Sequence, residues 1–220
     1  MDIANFIQGL TVNALPVLFA ITVHEAAHGY AARHFGDNTA WALGRVTLNP
    51  LKHVDLVGTI LLPLLLYFTS PILFGYAKPV PVRFGNLRNP KRDMIWVALA
   101  GPGSNLVQAW IWGALMYLLL GIGAGESFFI AMCQAGIKWN LLLFALNLFP
   151  IPPLDGGRIL VGLLPYRQAT LVSRVEPIGI FIVLGLVYFQ VIGRLWMDPL
   201  LTLTSWILGI LWLPLSWMAN

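Results

Sequence analysis

The chain has 220 residues, of which 58% are apolar and 10% charged, and its formal net charge is +4. A soluble domain carries about 25% charged residues and needs them to cover its surface, so this composition excludes an ordinary soluble enzyme and a disordered tail. A basic excess on so apolar a chain marks the cytoplasmic loops of a membrane protein rather than a nucleic-acid partner, and the single Cys133 excludes an internal disulfide and a cysteine-built zinc site.

Residues 6–23 are uncharged, and their helical pattern continues through His24, Glu25 and His28 to Arg33, the first basic residue. A cleaved secretory signal places Lys or Arg before its apolar stretch, so the segment reads as a retained membrane helix. Residues 56–77 are also uncharged but contain Gly58, Pro63, Pro71 and Gly75, which suits a broken, protein-covered re-entrant segment. Pro79 and Pro81 then forbid a helix and permit only an edge strand. Residues 94–125, 127–154, 177–193 and 199–220 are further apolar stretches, and about 20 residues suffice for one crossing.

Lys and Arg placement sets the count. If 56–77 dips in and returns, eleven basic residues share one face and Arg194 stands alone on the other; if it crosses, the division is eight to four. The positive-inside rule favours the more asymmetric arrangement. The expected fold is an all-α polytopic membrane protein of five or six transmembrane helices, with five preferred. A re-entrant or β-loop element lies between the first two core helices, the N-terminus outside and the C-terminus in the cytoplasm. One membrane domain covers residues 1–220, with its motifs in 5–165 and additional transmembrane helices in 175–220.

His24-Glu25-Ala26-Ala27-His28 carries the sharpest chemistry. Residues four apart on a helix lie about 40° apart around it and about 6 Å along it, so both imidazoles reach one metal ion from one face. Glu25 flanks them, where it can hold a water. This is the His-Glu-x-x-His arrangement of zinc proteases, and ionisable groups in an apolar helix need pairing or ligation. A hydrolytic zinc site needs a third protein ligand. Asp155 lies in a stretch that Pro150, Pro152, Pro153, Gly156 and Gly157 must unwind, and unwound backbone at membrane depth lines cavities or sites. On the residues alone Asp155 competes with a reading as a cytoplasmic turn. His53 is the second choice for the ligand, and His34 and Asp37 are weaker candidates. Lys138 reads as a snorkelling or interhelical residue, Asn140 as an interhelical hydrogen-bonder, Trp196, Trp206, Trp212 and Trp217 as interfacial or lipid-facing anchors, and the arginines between 83 and 92 as facing headgroups.

With these motifs assembled, the chain resembles the site-2 proteases, a family of intramembrane zinc metalloproteases. The resemblance rests on His24-Glu25-Ala26-Ala27-His28, on Gly101-Pro102-Gly103-Ser104-Asn105 and on Asn147 through Asp155-Gly156. Residues 75–82 are similar to the membrane-dipping β-loop of that family. The resemblance implies that His24, His28 and Asp155 bind one Zn2+ ion, that Glu25 is the catalytic acid/base, and that Asn147 and Asn105 contact substrate or the oxyanion. Many relatives carry a PDZ or CBS module; this sequence resembles the compact members without one. The expected activity is hydrolysis of peptide bonds within or near transmembrane segments of membrane proteins, as in regulated intramembrane proteolysis, with substrate pairing to residues 78–82 by β-addition. The expected location is a bacterial or archaeal cell membrane, with the site toward the cytoplasm and no nucleic-acid partner. A small transporter or channel is the contrasting reading, but it predicts a repeat relating two halves, and none is evident. A catalytically silent zinc-binding sensor is the third, and the intact Glu25 speaks against it.

Overall fold

The computed structural model describes residues 3–61, 64–65 and 75–217. Half of the expected re-entrant segment, 56–77, lies outside them. The architecture of the described residues is helical. The long helices are α1 (Ile3–His34), α3 (Pro90–Gly121), α4 (Ser127–Asn147) and α8 (Asp198–Ser216). Shorter ones are α2 (Thr39–Ala42), α5 (Asp155–Leu163), α6 (Tyr166–Ser173) and α7 (Glu176–Tyr188). Among the described residues three helical segments are long and apolar enough to cross a bilayer, in α1, in α4 and over Gly193–Ser216, which joins a π-helical turn to α8. A fourth is added if α6 and α7, bent by 67° at their junction, count as one span. At 1.5 Å per residue the 32 residues of α3 also exceed the hydrocarbon thickness, although Gly101, Pro102, Gly103, Ser104, Asn105 and Gln108 dilute its apolar character. The protein is therefore an integral membrane protein.

α1, α3 and α4 form the packed centre, and α5 lies against α3. Lipid supplies no hydrophobic drive between helices, so close approach depends on small residues. Ala20, Ala32, Ala109 and Ala145 are fully buried. A Cβ added to Gly136 or Gly113 would stand 2.3 Å from the Trp112 ring or 2.0 Å from the Trp212 ring, so each glycine makes room for an indole. Trp212 also donates to the Trp110 carbonyl, and Trp196 to that of Ala145 at 2.8 Å while packing edge-on against Phe149. These two tryptophans serve the protein interior, whereas Trp206 and Trp217 are exposed, as a lipid-facing or interfacial anchor requires. Asn140 bonds across helices as expected, accepting from Asn105 of α3 at 2.9 Å.

Residues 75–83 form no strand, which corrects the edge-strand expectation. The Tyr76 N–H donates to the Gly58 carbonyl, Lys78 N–H to that of His53 and Val80 N–H to the Glu25 carboxylate. Pro79 and Pro81 have no N–H. Within residues 78–82, Lys78 and Val80 thus direct their N–H groups inward and the two prolines offer none.

Asp37 fixes the far end of this strap. Its carboxylate accepts from Thr39 N and Oγ1, from Arg83 N at 2.7 Å and from Asn86 Nδ2 at 3.2 Å. Burial opposes its ionisation, but these donors outweigh burial and hold the carboxyl below its ordinary range. A depressed folded-state pKa contributes stability that is present above the unfolded value, about 3.9, and lost as pH falls through the folded value. Asp37→Ala is expected to cost about 2–4 kcal/mol at pH 7, the price of stranding several buried donors. The gap to wild type should narrow once the pH drops below about 4, as thermal melts in detergent would record. The remaining basic residues near the strap are also partly engaged: Arg88 donates to the His34 carbonyl and Lys91 to that of Leu164.

Candidate metal centre

α1 presents His24 and His28 one turn apart, both more than nine-tenths buried, toward the point where α5 begins. The chain reaches that point through residues 148–154, which fold back on α5. A Cβ on Gly156 would lie 2.1 Å from the Leu148 carbonyl oxygen, and one on Gly157 2.1 Å from Pro152 N. Only glycine at both positions lets the turn close and set Asp155 in the first turn of α5. The Asp155 Oδ2 stands 3.3 Å from His24 Nε2 and 3.3 Å from His28 Nε2, and the two Nε2 atoms are 3.1 Å apart.

The outer nitrogens decide what these inner atoms are. His28 Nδ1 lies 2.8 Å from the Val97 carbonyl, which can only accept, so Nδ1 carries the proton. His24 Nδ1 lies 2.6 Å from Asn105 Oδ1. The orientation of Asn105 is fixed in turn, because its amide donates to the Ala20 carbonyl and to Asn140 Oδ1, while the Asn140 amide donates to the Gly136 carbonyl. His24 Nδ1 is therefore a donor too. In the neutral rings both Nε2 atoms are lone pairs, and they face each other and a carboxylate oxygen that is buried and accepts no hydrogen bond. Three buried electron-pair donors at van der Waals distance repel one another unless a cation sits among them.

A tetrahedral ion with bonds of about 2.0 Å requires ligand atoms about 3.3 Å apart, which is the spacing seen. These three residues form the one His/Cys/Asp/Glu group among the described residues able to hold a metal ion, and the nitrogen-and-carboxylate donor set suits zinc. The hydrogen bonds from Nδ1 to Asn105 and Val97 are the outer contacts that fix ring orientation in such sites. Sequence reasoning missed the Val97 carbonyl, since any residue type could supply it.

Gly101 is the other hidden element. A Cβ there would stand 2.4 Å from His28 Nε2 and 2.7 Å from His24 Cε1, so α3 can pass behind the imidazoles only with hydrogen at this position. Gly101→Ala, although favourable for the helix itself, is expected to push the rings off their positions and weaken zinc binding by about 10–100-fold. Competition with a fluorescent chelator measures this directly.

A cavity of about 510 Å³ opens on the three ligand atoms and is also lined by Glu25, Asn147 and Arg158. Glu25 accepts the Val80 N–H at 2.8 Å. Asn147 donates to the Leu143 carbonyl at 3.0 Å, which leaves one amide hydrogen for the cavity. Asn105, expected at substrate or oxyanion, is fully buried behind His24 with its amide bonded on both sides; no part of it reaches the cavity. The competing ligand candidates are also elsewhere. Asp37 serves the strap, His53 is buried with Nε2 on the Thr47 carbonyl, and His34 packs edge-on against Phe35.

Comparison with known proteins agrees with this chemistry. Residues 123–189 match the model of peptidase family M50. YwhC of Bacillus subtilis, named as a zinc metalloprotease, is 37% identical over 192 residues, covering 85% of this chain and 84% of its own. Two mycobacterial relatives named in the same way are more distant. Rip2 of Mycolicibacterium smegmatis is 31% identical over 80% of this chain and 66% of its own, and Rip3 of Mycobacterium tuberculosis is 28% identical over 84% and 42%. No solved structure gives a significant match.

Proposed function

The chain belongs to peptidase family M50, the site-2 proteases, and is a membrane zinc metalloprotease; we propose that it cuts peptide bonds inside the transmembrane segments of other membrane proteins, with zinc held by His24, His28 and Asp155. The observation that carries this reading is the meeting of three buried lone-pair donors with the Glu25 carboxylate in one cavity. Zinc bound there supplies Lewis acidity, polarising a scissile carbonyl and lowering the pKa of water. Glu25 takes the proton of the attacking water and delivers it to the leaving amine. Asn147 offers its remaining amide hydrogen to the oxygen that gains charge. Asn105 acts through His24, as a positioning residue rather than a contact to substrate.

α1, α3, α4, the bent α6–α7 pair and α8 make five crossings, and the π-helical turn carrying Arg194 lies at the outer end of the last. His24 is ten residues from the end of its helix at His34, or about 15 Å inside the cytoplasmic surface. A substrate must therefore enter from the lipid, unwind so that its scissile bond leaves the shelter of its own helical turn, and meet water admitted from the cytoplasm. One domain accommodates all of this, and the cell membrane is its location.

The test uses the full chain reconstituted with a single-span model substrate. Cleavage inside the apolar segment, located by mass spectrometry, stopped by a chelator and restored by zinc, is the expected result. Zinc-loaded, folded protein that cuts only soluble flanks overturns the intramembrane reading.

A further inference from the structure

Arg158 is the sole Lys or Arg that lines the metal cavity among the described residues. It follows Asp155 by three positions on α5, so it lies about 4.5 Å further along the axis and on nearly the same face. Its guanidinium carbon stands 5.4 Å from the ring centroid of Phe84, which lines the same cavity. None of its five side-chain N–H groups donates a hydrogen bond among the described residues. Its ion-pair partner is Glu176, the first residue of α7, at 3.8 Å and so beyond hydrogen-bond reach. The two side chains are 36% and 52% exposed, so water screens the pair. A better-placed acceptor displaces such a contact without loss.

Arg158 stands on the cytoplasmic side of the metal ligands. α5 leaves Asp155 and runs along α3 toward its basic start: a Cβ on Gly162 would lie 3.0 Å from the Lys91 carbonyl oxygen, and Lys91 donates to the Leu164 carbonyl. The same end of α3 meets the end of α1, where Arg88 donates to the His34 carbonyl. The carboxylates of Glu25 and Asp155 already balance a divalent ion, which leaves the guanidinium as the unmatched charge of the cavity lining. A substrate chain unwound at the metal and continuing toward the cytoplasm must pass it. The rise from Asp155 plus an arginine stem of about 6 Å corresponds to two or three extended residues at about 3.3 Å each. We propose that Arg158 is a specificity-determining residue, binding an Asp or Glu side chain that the substrate carries about two or three residues to the cytoplasmic side of the scissile bond. The planar fork of a guanidinium matches a carboxylate with two parallel hydrogen bonds, whereas a basic side chain there is repelled. The proposal rests on the intramembrane reading above, because it requires the substrate to run through this cavity.

The probe is a set of labelled single-span peptides that differ only in carrying Glu, Gln or Lys at successive positions along the cytoplasmic half of the apolar segment. Binding is measured to zinc-loaded Glu25→Gln in phosphatidylcholine nanodiscs, and cleavage by wild type in the same lipid. The best Glu peptide is expected to bind at least about tenfold more tightly than its Lys counterpart. Adding Arg158→Gln should erase the difference and Arg158→Glu should reverse it, with unchanged zinc content and thermal midpoint certifying the variants. Glu176→Gln should keep or widen the preference, because it removes only a competing acceptor. If Glu176→Gln erases it instead, the pair is a tether between α5 and α7 and the proposal falls. Equal affinity for the Glu, Gln and Lys peptides overturns the proposal whatever wild type cuts. The preference without cleavage inside the apolar segment upholds Arg158 and fails the proteolytic reading alone.

Discussion

Glu25→Gln is expected to keep stoichiometric zinc while lowering the rate of transmembrane substrate cleavage by about 10²–10⁴-fold, the span that a positioned acid/base contributes. Glutamine is nearly isosteric and its carbonyl oxygen can still accept the Val80 N–H, so the strap stays in place over the cavity. His24, His28 and Asp155 are untouched, and with them the ion. What is lost is the capacity to accept a proton from water and return it to the amine. Zinc by elemental analysis and cleavage by gel or mass spectrometry separate the two effects. Full cleavage by the variant would remove Glu25 from the chemistry. Loss of zinc together with activity would instead make it a structural support of the site.

That contrast is useful because the residues differ in how far the sequence alone exposes them. The His24 and His28 pair is legible because helical geometry is local: a spacing of four fixes a shared face whatever the rest of the chain does. Asp155 was ambiguous on its residues, since its ligand role depends on residues 148–154 folding back, and that fold depends on backbone approaching Gly156 and Gly157 within a contact no Cβ permits. The motif showed that glycines were present, not that they close a turn onto a zinc ligand. Asn105 shows the opposite failure. The family resemblance implied a substrate contact, but three long helices converge to saturate its amide behind His24, and side-chain direction on a buried helix follows from packing that sequence spacing does not encode. The alternating prolines after Lys78 correctly excluded a helix. They misled about a strand because the Val80 N–H had a better acceptor in Glu25, 55 positions earlier in the chain. Hydropathy likewise marked the membrane helices, yet the 67° bend between α6 and α7 is set by where α7 can pack, with Gly179 so close to the Pro152 carbonyl that a Cβ there would lie 1.7 Å from its oxygen.

Asp155→Asn is expected to bind zinc at least about a hundredfold more weakly than wild type, since each ligand of a tight site contributes on the order of 3 kcal/mol. The same substitution reverses the stability order of the zinc-free proteins. In wild type without zinc, Oδ2 and the two Nε2 atoms remain within 3.3 Å of one another, and only a proton taken up from solvent can relieve the crowding. An asparagine amide of the same shape directs N–H groups at the Nε2 lone pairs and turns repulsion into hydrogen bonds worth about 1 kcal/mol each. Chelation should therefore lower the melting temperature of wild type, by about 2–4 °C per kcal/mol for a chain of this size, and leave that of Asp155→Asn nearly unchanged. Asp155→Ala separates ligand loss from hydrogen-bond gain: it should lose zinc as Asp155→Asn does, without the added stability. A chelated wild type as stable as its zinc-loaded form would mean that the three atoms are held apart by something other than a metal ion, and the assignment of Asp155 as a ligand would fall with it.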